Sequence, residues 1–177
     1  MNSKKNWLSQ QQQHITERRS IRHFSDRQLT EEQIDAILDA GRWAPSGLNN
    51  QPWRFAVIKD QTLKLKIAKL TKYHNIIEEA PTIIGVFLDN DSLYHREKDI
   101  QSVGAALQNM LLTAHSLKLG AVWLGEILKN GDQVCKILEL PPHYELMAVV
   151  ATGYPAANLK NREVSRKPLE ALVLLRS

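Results

Sequence analysis

Asp99-Ile-Gln-Ser-Val-Gly-Ala-Ala-Leu-Gln-Asn-Met-Leu-Leu-Thr-Ala-His-Ser-Leu-Lys-Leu119, running on into Gly120-Ala-Val-Trp-Leu-Gly125, is the stretch on which the fold turns. Val103, Ala106, Leu107, Met110, Leu111, Ala114 and Leu117 recur at helical spacing and cover more than one face. A helix that is apolar on more than one side must be covered on more than one side, so 99–119 is expected to be central. Gly104 and Ala105 leave room for the close approach of another helix. Gly120 stops the helix. Ala121 to Gly125 then reads as a strand, and Gly125 marks a place where backbone can approach a ligand.

The pattern extends in both directions. Downstream, Gly131-Asp132 opens a helix carrying Val134, Ile137 and Leu138, and Pro141-Pro142 ends it. Leu146 to Thr152 reads as a strand, Gly153-Tyr154-Pro155 as a turn, and Ala171 to Leu175 as a last strand after a basic tail over 162–169. Upstream, Thr82 to Leu88 is continuously apolar and reads as a strand buried on both faces. The polar connection 89–98 holds Asp91, and the helix that follows opens at Asp99; both residues suit turn or cap roles better than metal ligation. Arg54 to Lys59 alternates as a strand, and Thr62 to Lys72 is an amphipathic helix whose lysines are expected on a solvated face. Tyr73 to Glu79 can form a short helix. Thr30-Glu31-Glu32-Gln33 is a capping box that opens a helix with Ile34, Ile37, Leu38 and Trp43 on its stripe. Helix is also expected near Gln11 to Thr16. Four or five short strands separated by helices give α+β or α/β as the class.

Composition narrows the function. The 177 residues suit one domain, with 1–13 expected as a flexible polar lead-in and 14–177 as the folded unit. A net charge of +4 attracts anionic ligands but does not argue for nucleic acid, and no interleaved aromatics or reading motif support that alternative. No apolar run approaches the ~20 residues of a membrane helix, and Met1 to Gln13 lacks a signal-peptide core. The single cysteine, Cys135, excludes an internal disulfide framework and suits a reducing cytoplasm. Its apolar neighbours read it as a buried structural thiol.

Two stretches carry chemistry. Glu17-Arg-Arg-Ser-Ile-Arg-His-Phe24 places three arginines and a serine within five residues. Guanidinium forks match phosphate oxygens in pairs, and a hydroxyl adds a further bond, although a solvated basic turn has the same composition. Ala44-Pro-Ser-Gly-Leu-Asn-Asn-Gln-Pro-Trp53 is a loop rich in side-chain and backbone donors. Against these stand several absences. No Gly-x-Gly-x-x-Gly follows a strand, no phosphate-binding loop ends in Gly-Lys-Ser/Thr, and no Gly-x-Ser-x-Gly occurs. The six scattered histidines and one cysteine make no metal-ligand pattern. An enzyme of this composition takes its chemistry from a cofactor, one offering a phosphate and a polar ring edge.

The order and separation of Arg18-x-Ser-x-Arg22 and Pro45-Ser-Gly-Leu-Asn-Asn-Gln-Pro-Trp53 resemble those of the flavin-dependent nitroreductase family. The helix over 99–119, Gly120-Ala-Val-Trp-Leu-Gly125 and Ser165-Arg-Lys-Pro-Leu169 extend the resemblance to about 15–173. It implies an α+β fold with a central, mostly antiparallel sheet flanked by helices, in an intertwined homodimer binding FMN at the subunit interface. By position, Arg18, Arg19 and Ser20 would hold the phosphate and ribityl end of FMN. Arg22 would serve the pyrimidine side of the ring or the phosphate. Pro45, Ser46, Gly47 and Asn49 would come from the other subunit. Leu124, Gly125 and Glu126 would pass beside the reactive ring with their backbone N–H groups, and Arg166 would return to the phosphate, with Lys167 a weaker candidate.

The implied activity is transfer of hydride from NADH or NADPH through flavin N5 to a small acceptor such as a nitroaromatic or a quinone, with no catalytic side chain. The alternatives are an FMN carrier or sensor without turnover and a dehalogenase or oxidase relative. Two departures from the family pattern stand out. Tyr73-His-Asn-Ile-Ile77 offers no lysine at the pyrimidine edge, where Asn75 or Tyr73 can substitute, and Val164 replaces a second basic residue before Arg166. The helical lid that relatives insert over the site is not expected in this chain, which leaves the acceptor open.

Overall fold

The computed structural model describes residues 10–157 and 165–176. Four strands form one sheet in the order β1-β2-β4-β3: β1 (Trp53–Ile58), β2 (Thr82–Asp89), β3 (Gly120–Leu124) and β4 (Tyr144–Gly153). Every neighbouring pair is antiparallel, which settles the class as α+β. The helices are α1 (Gln10–Glu17), α2 (Glu31–Arg42), α3 (Gln61–Ala68), α4 (His74–Glu79), α5 (Arg96–Ser116) and α6 (Gly131–Ile137).

Helices cover both faces of the sheet. On one face α2 and α5 pack on Ile84, Val86, Leu88, Ala121, Ala148 and Val150. On the other, α3, α4 and α6 pack on Ile83, Phe87, Val122, Leu124, Leu146 and Val149. This is why β2 reads as a continuous apolar run: all eight of its residues are buried. Leu146 and Ala148 lie on opposite faces although they are two residues apart. The register steps from Val86↔Ala148 to Phe87↔Leu146, leaving Met147 as the extra residue of a bulge that reverses the alternation.

The central helix begins three residues earlier than its apolar pattern, at Arg96. Asp99 explains the early start. Its buried carboxylate accepts from the backbone N–H groups of Tyr94 and His95 at 2.8 Å each, and Asn50 Nδ2 donates to it at 2.9 Å. Burial pushes its pKa up, but these hydrogen bonds outweigh that and hold the carboxyl below its ordinary value. The Thr30–Gln33 capping box opens α2 as expected.

Other expectations are corrected. Trp43 is not on the packed stripe of α2: the helix ends at Arg42, and Trp43 is 71% exposed with its indole N–H donating to Asp39. The expected helix 62–72 ends at Ala68, and its lysines are not all solvated. Lys64 is buried, its ammonium donating to Ala80 O at 2.6 Å, and burial lowers its pKa. Ala171 to Leu175 forms no strand; a single 3-10 turn, Leu169–Ala171, is followed by irregular chain with Leu174 fully exposed.

The basic run is held to the sheet by close packing. Ser20 bridges Ala121 in parallel, Ile21 N donates to Ala121 O at 3.1 Å, and Phe24 bridges Pro155. A Cβ on Gly120 would lie 2.6 Å from Ile21 Cγ2 and 2.7 Å from Ile21 Cβ. Ile21 is branched at that carbon and cannot swing aside. Gly120→Ala is therefore expected to cost about 1–3 kcal/mol, as overpacking does, and to lower the melting temperature by roughly 5 °C. Calorimetry checks this.

Candidate functional site

β3 organises the candidate site from one end to the other. At its start, Ser20 and Ile21 add to its free edge. Arg18 is half-buried beside this bridge, and its pKa is pushed below the ordinary value by burial first, then by the positive charges of Arg166 and Arg19. Two parts of the chain nearly 150 residues apart thus bring cations together. None of Arg18, Arg19, Arg22 and Arg166 is ion-paired with a carboxylate among the described residues. Arg19 donates to the carbonyls of Thr16 and Arg18, Arg22 to that of Ser20, and Arg166 to that of Ser165. A half-buried guanidinium beside like charges, with no counter-charge among the described residues, raises the energy of the folded chain. An anion with several oxygens relieves that cost. Val164, the other departure in the tail, lies outside the described residues.

At the end of β3 the chain exposes backbone. Leu124 is buried, its side chain packed under the sheet, so only its main chain can meet a ligand. Gly125 is exposed, and a Cβ there would meet only Trp123 Nε1, at 3.9 Å. Glu126 begins a 3-10 turn (Glu126–Asn130), and its carboxylate takes hydrogen bonds from Thr71 Oγ1 and Lys72 N and pairs with Lys129. The Lys129 hydrogen bond first, then that of Thr71, hold its pKa down to about 2. The turn at Thr71 and Lys72 went unread in the sequence. It directly precedes the Tyr73–Ile77 stretch that departs from the family pattern.

The loop at 45–51 is built around three non-glycine residues at positive φ: Leu48 at 52°, Asn49 at 57° and Gln51 at 48°. Such backbone is costly and persists only when neighbours hold it. Ser46 Oγ accepts from Gln51 N at 3.0 Å, and Asn50 Nδ2 reaches Ser92 O and Asp99 Oδ1. Gly47 is needed because a Cβ there would sit 2.7 Å from the Tyr94 ring. Pro45, Leu48 and Asn49 face outward, Leu48 81% exposed.

One chain does not bring this loop to the basic run. The loop leads into Trp53 on β1, whose partner is Leu88, whereas Ser20 meets Ala121, aligned through Thr152 with Thr82. The two motifs flank opposite edges and opposite ends of the four-stranded sheet, about 25 Å apart by strand spacing and rise. An open groove of about 670 Å³ beside the loop, lined by Asp35, Leu38, Asp39, Arg42, Trp53 and Phe55, lies at that β1 edge, away from the guanidinium cluster. Its two arginines, Arg42 and Arg54, are paired with Asp39 and Asp89, so the cluster is the better anion site.

The chain matches the model of the nitroreductase family over residues 15–83 and 67–154. It is 36% identical over 152 residues to a Methanothermobacter thermautotrophicus protein, a candidate NADH dehydrogenase/NAD(P)H nitroreductase, covering 85% of this chain and 80% of the relative. It is 28% identical to the FMN reductase [NAD(P)H] of Bacillus subtilis, covering 89% of this chain and 70% of that protein. Among solved structures, a candidate nitroreductase of Desulfovibrio desulfuricans in complex with FMN aligns with a TM-score of 0.90 at 45% identity, covering 96% of this chain and 98% of that one.

Proposed function

The chain belongs to the nitroreductase family, and on that footing we propose that it is an FMN-dependent oxidoreductase using NADH or NADPH to reduce a small acceptor. The observation that carries the reading is the cluster of guanidinium groups at the start of β3, without a carboxylate partner among the described residues, on the same strand as the open backbone of Gly125. The donor set fits FMN: several fixed cations for a phosphate at one end and backbone donors for a polar ring edge at the other. When bound, FMN supplies the hydride chemistry. The chain's own residues bind and orient it. Arg18, Arg19, Ser20 and Arg166 would hold the phosphate and ribityl end. Main-chain N–H groups at 124–126 would orient the ring without titrating. Arg22 is either a further phosphate cation or a cation for the pyrimidine edge, where charge builds on reduction.

The acceptor class is a nitroaromatic or a quinone; the nitroreductase in the name of the Methanothermobacter thermautotrophicus relative supports the first. No helix among the described residues is long and apolar enough to cross a membrane.

The site is shared between two copies of the chain. Support comes from the diagonal separation of the loop 45–51 from the basic run and from the outward-facing Trp43 and Leu48. In an isologous pair, Pro45, Ser46, Gly47 and Asn49 of each copy complete the site of the other. Sedimentation velocity followed at the visible absorbance of flavin tests the reading: the colour is expected to move as a dimer. A flavin-loaded monomer overturns the shared site.

A further inference from the structure

We propose that the Glu126 side chain is a positioning group, clamping the turn at 70–73 against the chain that leaves β3 and so fixing the width of the flavin site at its ring edge. The proposal rests on the FMN reading of this site.

The clamp is made of bonds to four consecutive residues. Asn130 Nδ2 donates to Leu70 O at 2.7 Å. Thr71 Oγ1 donates to Glu126 Oε2 at 2.6 Å, and Lys72 N donates to the same oxygen at 3.1 Å. Tyr73 N in turn donates to Thr71 Oγ1 at 3.2 Å. The other carboxylate oxygen, Oε1, pairs with Lys129. One oxygen therefore holds the turn while the other meets a cation, and shape and charge separate by mutation.

The turn needs an external hold. It joins α3 to α4, belongs to no strand, and exposes Lys72 and Tyr73. It borders the open backbone of Gly125 because the next residue is the one that grips it. A carboxylate with two good donors and a cation is a stiff link, and a side chain fixed in this way transmits its position to the main chain on both sides. With its pKa held at about 2, Glu126 stays ionised at any pH at which the protein works. Its depressed pKa means the clamp is fully present above the ordinary glutamate value and is lost only as pH falls through about 2.

The test compares Glu126→Ala, Glu126→Gln, Thr71→Val and Lys129→Ala by amide exchange at Lys72 and Tyr73 in flavin-free protein and by FMN dissociation constant. Glu126→Ala is expected to speed exchange at Lys72 and to weaken FMN, each by about tenfold, the factor for one lost charged hydrogen bond. Glu126→Gln and Lys129→Ala keep an oxygen for Thr71 and Lys72 and are expected to stay within roughly threefold of wild type. Thr71→Val preserves shape, removes the hydroxyl that accepts from Tyr73 N and donates to Glu126, and is expected to speed exchange at Tyr73 and to weaken FMN as Glu126→Ala does; if Glu126→Ala does not fold, Thr71→Val decides by Tyr73 exchange and FMN affinity. Wild-type exchange and affinity in Glu126→Ala or Thr71→Val overturn the proposal, as does Glu126→Gln as impaired as Glu126→Ala, which would make the effect one of charge. If wild type binds no FMN, the FMN reading fails, and the exchange arm still decides the clamp.

Discussion

Replacing Arg18 by alanine is expected to leave a folded protein that purifies without flavin. Arg18 is half-buried, with Arg166 and Arg19 near enough to disfavour its charge and no carboxylate to offset them among the described residues. A charged hydrogen bond to phosphate contributes about 1.5–3 kcal/mol, so FMN affinity should fall by about ten- to a hundredfold, read by fluorescence titration. The stability of the flavin-free protein should move the other way. Removing one of several repelling cations lowers the cost of the empty site, so the melting temperature without FMN should hold or rise. A structural arginine would lower both. Binding sites commonly carry this trade of stability for function.

Replacing Asp99 by alanine is expected to have the largest effect on stability. It strands the N–H groups of Tyr94 and His95 and one bond of Asn50 in a place where Asp99 itself is fully buried. Buried donors left unsatisfied cost about 1–3 kcal/mol each, and partial access to water keeps the total near ~4 kcal/mol. For a chain of this size that lowers the melting temperature by about 10 °C. Asp99→Asn keeps the shape but offers an amide where donors converge, and should recover only part of the loss. The sign of the pH dependence follows from the depressed pKa of Asp99. Its contribution is fully present above the unfolded value of about 4 and is lost as pH falls through the lower folded value. The gap between wild type and Asp99→Asn should therefore close as melts are taken to more acid pH. Asn50 ties the loop 45–51 to Asp99, so FMN should also bind less well in both variants.

Most of the fold was legible because period and burial agree. The helix α5 shows its several apolar faces, and β2 shows its continuous run, since both are covered all round. Sequence reading failed where a residue follows the period but not the environment. Trp43 continues the spacing of α2, yet the helix ends one residue earlier and the indole turns to Asp39. Lys64 looks like a solvated lysine, but Ala80 O lies within reach of its ammonium as α4 closes, and nothing local signals that. Ala171 to Leu175 has strand composition, but the β3 edge is already met by Ser20, and no partner is offered within the described residues.

The site was legible as motifs and illegible as a network. The basic run and the donor-rich loop announce themselves by residue type. Their position at opposite corners of the sheet depends on strand order, which no local pattern encodes. The grip of Glu126 on Thr71 joins residues 55 apart, and a threonine in a lysine-rich stretch carries no mark of it. Asp99 was read as a cap or turn residue, and it is one, but its bond to Asn50 ties together two segments that the sequence separates by 49 residues.

Whether the chain is an FMN-dependent reductase is decided by anaerobic stopped-flow mixing of the FMN-loaded protein with NADH and, separately, NADPH, followed at the visible flavin absorbance. At least one donor is expected to bleach the flavin fully in a fast single-turnover phase, and a quinone or nitroaromatic then to restore the colour. A protein that takes up no FMN, or one whose bound flavin neither donor bleaches, would contradict the reductase reading.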